Sequence, residues 1–424
     1  MAVFITNSVW WTKFERAGVG QHSAAALSWM FRNSKIPWEF LPAAGVRFIL
    51  NRFGITEGSP GIDDTGRKRS KKTKKISRVH KLKDRVSGGF VMGQCIVFLI
   101  LATPKIAIPV GFSFYMPDPE LTKWNKRKKE LKKDGVPQKQ HPRKPPKNVN
   151  CPTKQEISLK ILKQFRYDFP DVRIRCIPAD ALHRTGKFMD TASSYFGGAQ
   201  VVSQLKRDQN AVFRNKKISV SEYFTKHPGA NQKTGIRGGD EISAVMGSAR
   251  LRVCSHGKKR FVIALKCDGE DDCRYIAASD MSWRTQDIAE AYTLRRFAEV
   301  FIQDWKSHEG WGKLTGQTGE EGSEKSLILS LLCDLRLFFH PGQLTRSENK
   351  LPVSAVGSLT ESIKAESIPI FVKELLNSDN PHNKINILSD DLKKLFCPTP
   401  SKKHLIDKVP GRLEPSPSLK YKEG

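Results

Sequence analysis

The sequence has few acidic residues for its size. It carries 43 Asp and Glu against 72 Lys and Arg, which gives a formal net charge of +29 over 424 residues. This imbalance exceeds what solubility requires and indicates a polyanionic partner, for which nucleic acid and an acidic membrane surface both qualify. Hydrophobic residues make up 38% of the chain, which suffices for at least one sizeable core in two or three domains.

Long uninterrupted apolar runs are also missing. The most apolar stretch, residues 89–116, is interrupted by Gln94, by Pro104 and Lys105, and by Pro109. It therefore cannot supply the roughly 20 consecutive apolar residues of a membrane-spanning helix. The first residues, MAVFITNSVWWTKFER, contain neither a basic leader nor a small-residue cleavage site. We expect a cytosolic protein that binds nucleic acid and has no membrane partner.

Closely paired cysteines are missing as well. The eight cysteines include no Cys-x-x-Cys pair and no dense framework, a pattern typical of reduced thiols in an intracellular protein. The tightest group is Cys254, His256, Cys267 and Cys273, whose residue types suit zinc. Their irregular spacing argues against a structural zinc site without excluding one.

Changes in periodicity divide the chain into five predicted regions. They are a small helical region over 1–55, alternating strands and helices over 56–206, a β-rich region over 207–282, a helical region over 283–345, and a second helical region over 346–424 whose tail beyond Pro398 is expected to be disordered. Strands are predicted over 90–102, 106–114, 172–178, 200–205, 249–254, 260–266 and 275–278, and helices over 24–31, 43–53, 154–165, 327–339 and 360–376. The first two strands predict a hairpin.

Two segments concentrate the positive charge. Residues 67–85 carry eleven Lys and Arg with one acid, and residues 121–148 carry eleven with two acids. The second segment cannot bury a hydrophobic face, so we predict an exposed connection there. Two interpretations are open for each segment: it follows the backbone of bound DNA, or it is a solvated loop that raises solubility.

A helix predicted over 285–307, with Thr285 as its cap, carries an unusual polar group. Tyr292, Arg295, Glu299 and Lys306 point within about 60° of one another at about 100° per residue, so one face should carry all four. A carboxylate flanked by two cations and a phenol suits a site for metal and phosphate. The alternative is a solvated face with an i,i+4 ion pair between Arg295 and Glu299.

The spacing Tyr-x2-Arg-x3-Glu-x6-Lys resembles the YREK signature of a large group of bacterial insertion-sequence transposases of the DDE type. The first-aspartate region of that group is similar to the run ITEGSPGIDDTGRK, and the second to CIPADALHRTGKFMD. The glutamate region resembles YIAASDMSWRTQDIAEAYTLRRFAEVFIQDWKSHEGWG. The likeness covers roughly residues 55–345, and its three acids occur in the expected order.

This resemblance implies an α/β fold: an RNase H-like catalytic core with a mixed sheet, flanking helices, and a β-rich insertion between the second Asp and the Glu. It implies that Asp63, Asp180 and Glu299 are the catalytic acids and hold two Mg²⁺ ions, for which Mn²⁺ can substitute. Asp63 is preferred to Asp64 because it occupies the first position of Asp-x-Thr. Taken alone, the trio of residues 63–65 favours an Asx turn that closes a loop.

The resemblance also implies that Tyr292, Arg295 and Lys306 contact DNA phosphates at the transposon end. The expected activity is cleavage of DNA at the terminal inverted repeats and strand transfer into target DNA, by a homodimer in the bacterial cytoplasm. Only about 60 residues precede the first aspartate, fewer than is usual in the group. Residues 21–33 are the candidate recognition helix, although they carry no readable helix-turn-helix signature.

Two other functions are compatible with the sequence. A non-catalytic DNA-binding protein descended from a transposase would keep the positive charge without turnover, and the intact acids at 63, 180 and 299 argue against it. An RNase H-like nuclease or junction resolvase would cut DNA without joining it. Inverted repeats beside the gene would favour the transposase over the nuclease.

Overall fold

The structure is a computed structural model. It describes residues 3, 6–7, 9–17, 22–69, 76–84, 88–103, 105–236, 240–311, 317–349, 353–386 and 389. The predicted tail beyond Pro398 lies outside these residues, as do the parts of the basic segment numbered 70–75 and 85.

Thirteen strands form one mixed sheet in the described residues. They are β1 Glu57–Lys68, β2 His80–Lys83, β3 Phe90–Ala102, β4 Ala107–Tyr115, β5 Arg173–Ile174, β6 Cys176–Ala179, β7 Gln200–Leu205, β8 Asn210–Phe213, β9 Lys216–Ser219, β10 Ala230–Ile236, β11 Asp240–Val253, β12 Lys258–Cys267 and β13 Arg274–Ala278. Their order is β2-β3-β1-β6-β7-β13-β12-β11-β8-β9, with β4 beside β3, β5 beside β1 and β10 beside β11. The α/β class predicted from the sequence is confirmed.

Twelve named helices accompany the sheet in the part of the chain that the structure describes. They are α1 Trp11–Ala17, α2 Ala24–Asn33, α3 Leu41–Arg52, α4 Pro119–Lys133, α5 Lys154–Asp168, α6 Gly186–Tyr195, α7 Val220–Lys226, α8 Thr285–Thr293, α9 Arg295–His308, α10 Gly319–Leu337, α11 Pro341–Glu348 and α12 Val356–Leu376. Most predicted elements are confirmed within a few residues, including the β3–β4 hairpin and α5. Helix α5 begins where Thr153 and Glu156 exchange hydrogen bonds between side chain and backbone.

The centre of the sheet is covered on both faces. Strand β3 alternates between them: Ile96, Phe98 and Ile100 pack against α9 and α10, whereas its odd-numbered neighbours pack against α3, α5 and α6. Because both faces are buried, β3 is apolar without interruption from residue 95 to 102. Strand β1 pairs antiparallel with β3 and parallel with β6, and β6 pairs parallel with β7.

The predicted β-rich region extends this same sheet. Strand β13 pairs antiparallel with β7, so that Ala278 lies opposite Val202, and β12, β11, β8 and β9 continue outward from there. Helix α8 covers the inner part of this extension, and its Ile288 and Tyr292 pack on residues of β7 and β11–β13. The extension is therefore held to the central strands by a continuous ladder of backbone hydrogen bonds.

The predicted single helix over 285–307 is wrong in one respect: it is two helices that meet at Leu294. Bonds of the i to i−3 type surround the break, from Leu294 N–H to Ala291 and from Phe297 N–H to Leu294. The change of direction lets α8 cover the sheet extension while α9 covers β1 and β3. Thr285 is not the cap either, because Arg284 occupies that position and its N–H donates to the Asp287 carboxylate at 3.3 Å.

The segment 121–148, predicted as an exposed connection, contains the helix α4. The prediction of exposure is confirmed, since α4 buries no residue, but the helix itself was not predicted. The helix forms because Asp118 accepts hydrogen bonds from the first-turn amides of Glu120 and Leu121, and Pro119 favours the first helical position.

The other basic segment, 67–85, is partly ordered by the sheet. Its described residues include the end of β1 and all of β2, and Arg69 is buried with its Nε donating to Gln94 at 2.9 Å. The guanidinium of Arg69 also lies 4.6 Å from the ring centroid of Trp311. A fully solvated loop is therefore excluded for the described part of this segment.

Among the described helices, none is by itself long and apolar enough to span a membrane, whereas α10 and α11, which meet at a bend of 51°, pass that test of length and composition as a pair.

Candidate active site

Asp63 lies inside β1 and points toward α9. It is opposite Phe98 in the antiparallel register, and Phe98 packs on α9, so the two side chains share that face. Arg295 Nη1 lies 3.7 Å from Asp63 Oδ2. Burial raises the pKa of Asp63 to about 6, opposed by the 2.8 Å hydrogen bond from the Asp64 N–H and by the charge of Arg295. An Asx turn at this position is excluded because the trio lies within a strand.

Asp64 points to the opposite face of the sheet. Lys154 Nζ, from the first turn of α5, donates to Asp64 Oδ2 at 2.6 Å, and Cys95 Sγ lies 3.5 Å from the same oxygen. Alternation along β1 therefore separates the two neighbouring aspartates. Only Asp63 of the two faces the other candidate acids.

Asp180 comes directly after β6. Ile62 lies beside Ala179 in the parallel register, so the next residue of each strand brings Asp63 and Asp180 together. Asp180 Oδ1 accepts hydrogen bonds from Leu182 N–H at 3.0 Å and from His183 Nδ1 at 2.8 Å. Burial alone would raise the pKa of Asp180, but the hydrogen bond and charge of His183 hold it below the ordinary value.

His183 is a residue that the sequence reasoning missed. Its ring is buried, and its Nε2 lies 2.8 Å from Ser158 Oγ on α5, so that both ring nitrogens are engaged. The ring thus fixes the orientation of the Asp180 carboxylate through Nδ1 and is itself held by Ser158, as hydrogen-bond partners commonly orient metal-ligating side chains. The only sequence signal was the Asp-x2-His spacing, which becomes meaningful in the short 3₁₀ turn over 181–183.

Glu299 reaches the same place from α9. This helix lies close to β1, since Ala298 Cβ is 3.8 Å from the position that a Cβ on Gly61 would take. Glu299 accepts from Arg295 Nη2 and from Arg296 Nη1, each at 2.5 Å. These charges and hydrogen bonds overcome the effect of burial and lower the pKa of Glu299.

Arg295 is the centre of the arrangement. Its guanidinium bridges Asp63 and Glu299, and Asp180 lies beside Asp63. The side chains of Asp63, Asp180 and Glu299 are 18%, 29% and 28% exposed, so all three remain accessible from solvent. The site is therefore three carboxylates around one arginine, open on one side.

Tyr292 and Lys306 occupy different surroundings. The ring of Tyr292 is buried, and its hydroxyl donates to Gln204 Oε1 at 2.7 Å. Lys306 Nζ donates to the carbonyl of Gly66 at 3.1 Å, which places it along β1 just beyond Asp63. Burial lowers the pKa of Lys306. Arg295, Glu299 and Lys306 thus share one helix, whereas Tyr292 lies beneath them before the break.

No group of three or more His, Cys, Asp or Glu side chains in the described residues is arranged around a common point as a metal site. At the three candidate acids, the guanidinium of Arg295 lies between Asp63 and Glu299. In the candidate zinc group, His256 is engaged by other partners: its Nε2 lies 2.6 Å from the Arg184 carbonyl, and its Nδ1 accepts from Arg260.

Comparison with known proteins adds no relative. None of the known protein-family models matches the chain, and no curated protein matches it either. The resemblance to DDE transposases stays a prediction based on the motifs of this sequence.

Proposed function

We propose that the chain is a DDE-type transposase, which cleaves DNA at transposon ends and transfers the cleaved strand into target DNA with the help of divalent metal ions. The observation that carries this proposal is the meeting of three distant acids on one face of the sheet. Asp63 and Asp180 lie side by side on neighbouring parallel strands, and Glu299 joins them through Arg295.

The central strands support an RNase H-like core. Strands β4, β3 and β1 are antiparallel neighbours, β6 and β7 follow as parallel neighbours, and helices cover both faces. In such a core the first acid is expected within the first strand, the second after a neighbouring parallel strand, and the third on a later helix. Asp63, Asp180 and Glu299 have these settings, and the β-rich region lies between the second and third acids.

The donor set fits a hard divalent cation. All three side chains offer carboxylate oxygens, the ligands that Mg²⁺ and Mn²⁺ prefer. Burial raises the pKa of Asp63, and Arg295 places a positive charge between Asp63 and Glu299. Asp63, Asp180 and Glu299 would hold the divalent ions, which when bound would activate the attacking oxygen and stabilise the leaving oxygen.

Arg295 and Lys306 would then turn to the DNA. A phosphate can replace Glu299 Oε1 as the partner of the Arg295 guanidinium, so DNA binding can withdraw the guanidinium and release the carboxylates. Lys306 lies beside the same strand, where it reaches a neighbouring phosphate. A contact from Tyr292 requires its hydroxyl to leave Gln204. His183 keeps Asp180 oriented throughout.

The reaction needs no covalent protein intermediate. Water first attacks the phosphodiester at the transposon end and leaves a 3′ hydroxyl, which then attacks target DNA in the same pocket. Pairing of two ends calls for a homodimer on DNA, with terminal inverted repeats and target DNA as partners.

Plasmid nicking tests the proposal. Wild-type protein with Mg²⁺ or Mn²⁺ should nick DNA that carries the gene's own flanking sequence, and Glu299→Gln should lower the rate by at least about a thousandfold while the protein stays folded. The matched control is Glu290→Gln, an exposed glutamate on α8, which should nick normally. Full activity of Glu299→Gln would overturn the assignment. Nicks without joined products would favour a nuclease.

A further inference from the structure

Residues 119–148 form an excursion from the sheet that we name the basic arm. It consists of α4 and a return segment that contains a short 3₁₀ turn over 138–140. The arm carries eleven Lys and Arg against three acids. A helix without buried residues contributes little to a hydrophobic core, so this concentration of charge calls for another explanation.

The arm is nevertheless a defined structure. Trp124 Nε1 donates to the carbonyl of Pro142 at 2.8 Å, which fastens the helix to the return segment. Lys128 lies with its Nζ 4.9 Å from the centroid of the same indole ring. Lys147 forms an ion pair with Glu156 and so ties the return segment to the first turn of α5. The arm can therefore present its charges in a fixed arrangement.

The charges of α4 face outward. Leu121, Trp124, Lys128 and Leu131 are partly buried and recur at helical spacing, so they form the inner stripe. The remaining basic residues of the helix are all exposed: Lys123, Lys126, Arg127, Lys129, Lys132 and Lys133. Glu130 is the single acid that pairs with them, at 4.0 Å from Lys126 and 3.8 Å from Arg127. The outer face is thus strongly positive.

Both ends of the arm connect to the sheet beside the end of β1. Its start follows Tyr115, which is opposite Cys95, and Cys95 is in turn opposite Gly66 on β1. Gly66 is the residue whose carbonyl binds Lys306. Its end leads into Lys154, which contacts Asp64. The arm therefore leaves and rejoins the fold beside the part of β1 that follows Asp63.

We propose that the basic arm binds the phosphate backbone of duplex DNA, without sequence preference, beside the end of β1 that follows Asp63. The inference rests on the proposed function for the position of that DNA. A helix of 15 residues is about 22 Å long, enough to follow several phosphates along a groove edge. Lys and Arg side chains that contact phosphates, and not base edges, supply affinity and orientation without sequence preference.

The test is the salt dependence of duplex binding. The arm variant replaces Lys123, Lys126, Arg127, Lys129, Lys132 and Lys133 by Gln in the full chain, and fluorescence anisotropy follows a labelled duplex of arbitrary sequence over a series of salt concentrations. If three phosphate contacts are lost, the slope of log affinity against log salt becomes shallower by about 3, and affinity falls roughly tenfold to a hundredfold.

The matched control removes the same charge from the segment that runs from the end of β7 to the end of α7. It replaces Lys206, Arg207, Arg214, Lys216, Lys217 and Lys226, which are all exposed, by Gln. Its slope should stay within about 1 of wild type. Circular dichroism checks that both variants are folded. A variant of the basic arm with only Lys126, Lys129 and Lys133 replaced by Gln should show about half the change in salt slope. Equal effects of the arm and control variants would overturn the proposal.

A second binding assay uses vesicles of phosphatidylserine and phosphatidylcholine. Loss of vesicle binding in the arm variant, with unchanged duplex binding, would also overturn the proposal. The two hypotheses fail separately. Normal nicking with an unchanged salt slope in the arm variant would contradict only the proposed role of the basic arm. A shallower salt slope in the arm variant, together with a wild-type protein that never nicks DNA, would contradict the proposed function and support the role of the basic arm.

Discussion

The two ends of α9 carry two groups of acids with opposite properties. Near its beginning, Asp63, Asp180 and Glu299 are partly exposed and are neutralised by arginine and histidine partners. Just past its end, Glu309 and Asp334 are buried, and no hydrogen-bond donor among the described residues reaches the carboxylate oxygens of Glu309. Burial raises the pKa of Glu309 well above its ordinary value and that of Asp334 to about 7.

The difference shows why acids alone do not identify a metal site. In the buried pair a proton is the available counter-ion, because burial favours the neutral form of both carboxyl groups. In the open group the counter-ion is Arg295, which a phosphate can withdraw. Access and an exchangeable cation make the first group a candidate for catalysis, while the second is part of the core.

The largest expected effect distinguishes Asp63, a member of the open group, from its sequence neighbour Asp64. Asp63→Asn should abolish metal-dependent nicking, by about a thousandfold or more, because Asp63 faces the other two acids. Asp64→Asn should keep nicking within about tenfold, because Asp64 faces Lys154 on the other side of the sheet. Nicking rates of the two variants on the same plasmid decide this. The reverse order would assign the first ligand to Asp64.

The buried pair should respond to pH. Folding raises the pKa of Asp334 from its ordinary value of 3.8 to about 7. The contribution of this carboxyl group to the unfolding free energy is therefore fully present below pH 3.8 and is lost as pH rises through about 7. Asp334→Asn removes the penalty and keeps a hydrogen-bond donor for Glu309. Relative to wild type, the variant should gain about 2 kcal/mol in unfolding free energy between about pH 5 and about pH 8.

Urea denaturation at both pH values measures this gain, and Asp171→Asn, at an exposed aspartate, is the control that should show none. A variant that is destabilised equally at both pH values would show that the pair is not a proton-sharing pair.

A smaller effect is expected from Arg295. Arg295→Ala should weaken binding to the cleaved transposon end by about tenfold, and binding to random duplex by clearly less. Arg296→Ala is the matched control, since Arg296 also contacts Glu299 but is 49% exposed. Anisotropy with both DNAs gives the two ratios. Equal weakening on both DNAs would reduce Arg295 to a part of the general positive surface.

Much of the fold followed from periodicity. The β3–β4 hairpin, the helix α5 and the strands β11, β12 and β13 were predicted because each leaves a local pattern, whereas β1 was not among the predicted strands. The placement of Asp180 at a strand end followed for the same reason. What escaped prediction depends on contacts between distant residues, such as the His183 to Asp180 bond supported by Ser158.

The burial of Tyr292 shows the limit most clearly. The spacing of Tyr292 from Arg295 predicts that both side chains point the same way on one ideal helix. The break at Leu294 instead separates them, and α8 and α9 cover different parts of the sheet. The helix α4 was missed for another reason. Its sequence offers too few apolar residues for a core-facing stripe, and its formation depends on the cap by Asp118 and the anchor of Trp124 on Pro142.

Counting bound metal ions tests the central claim most directly. Electron paramagnetic resonance of Mn²⁺ added to the wild-type complex with transposon-end DNA should show two magnetically coupled ions, about 4 Å apart. The same complex of Glu299→Gln, with Glu290→Gln as the matched control, should lose the coupled pair. An unchanged coupled signal in Glu299→Gln, or no bound Mn²⁺ in the wild-type complex, would contradict the account.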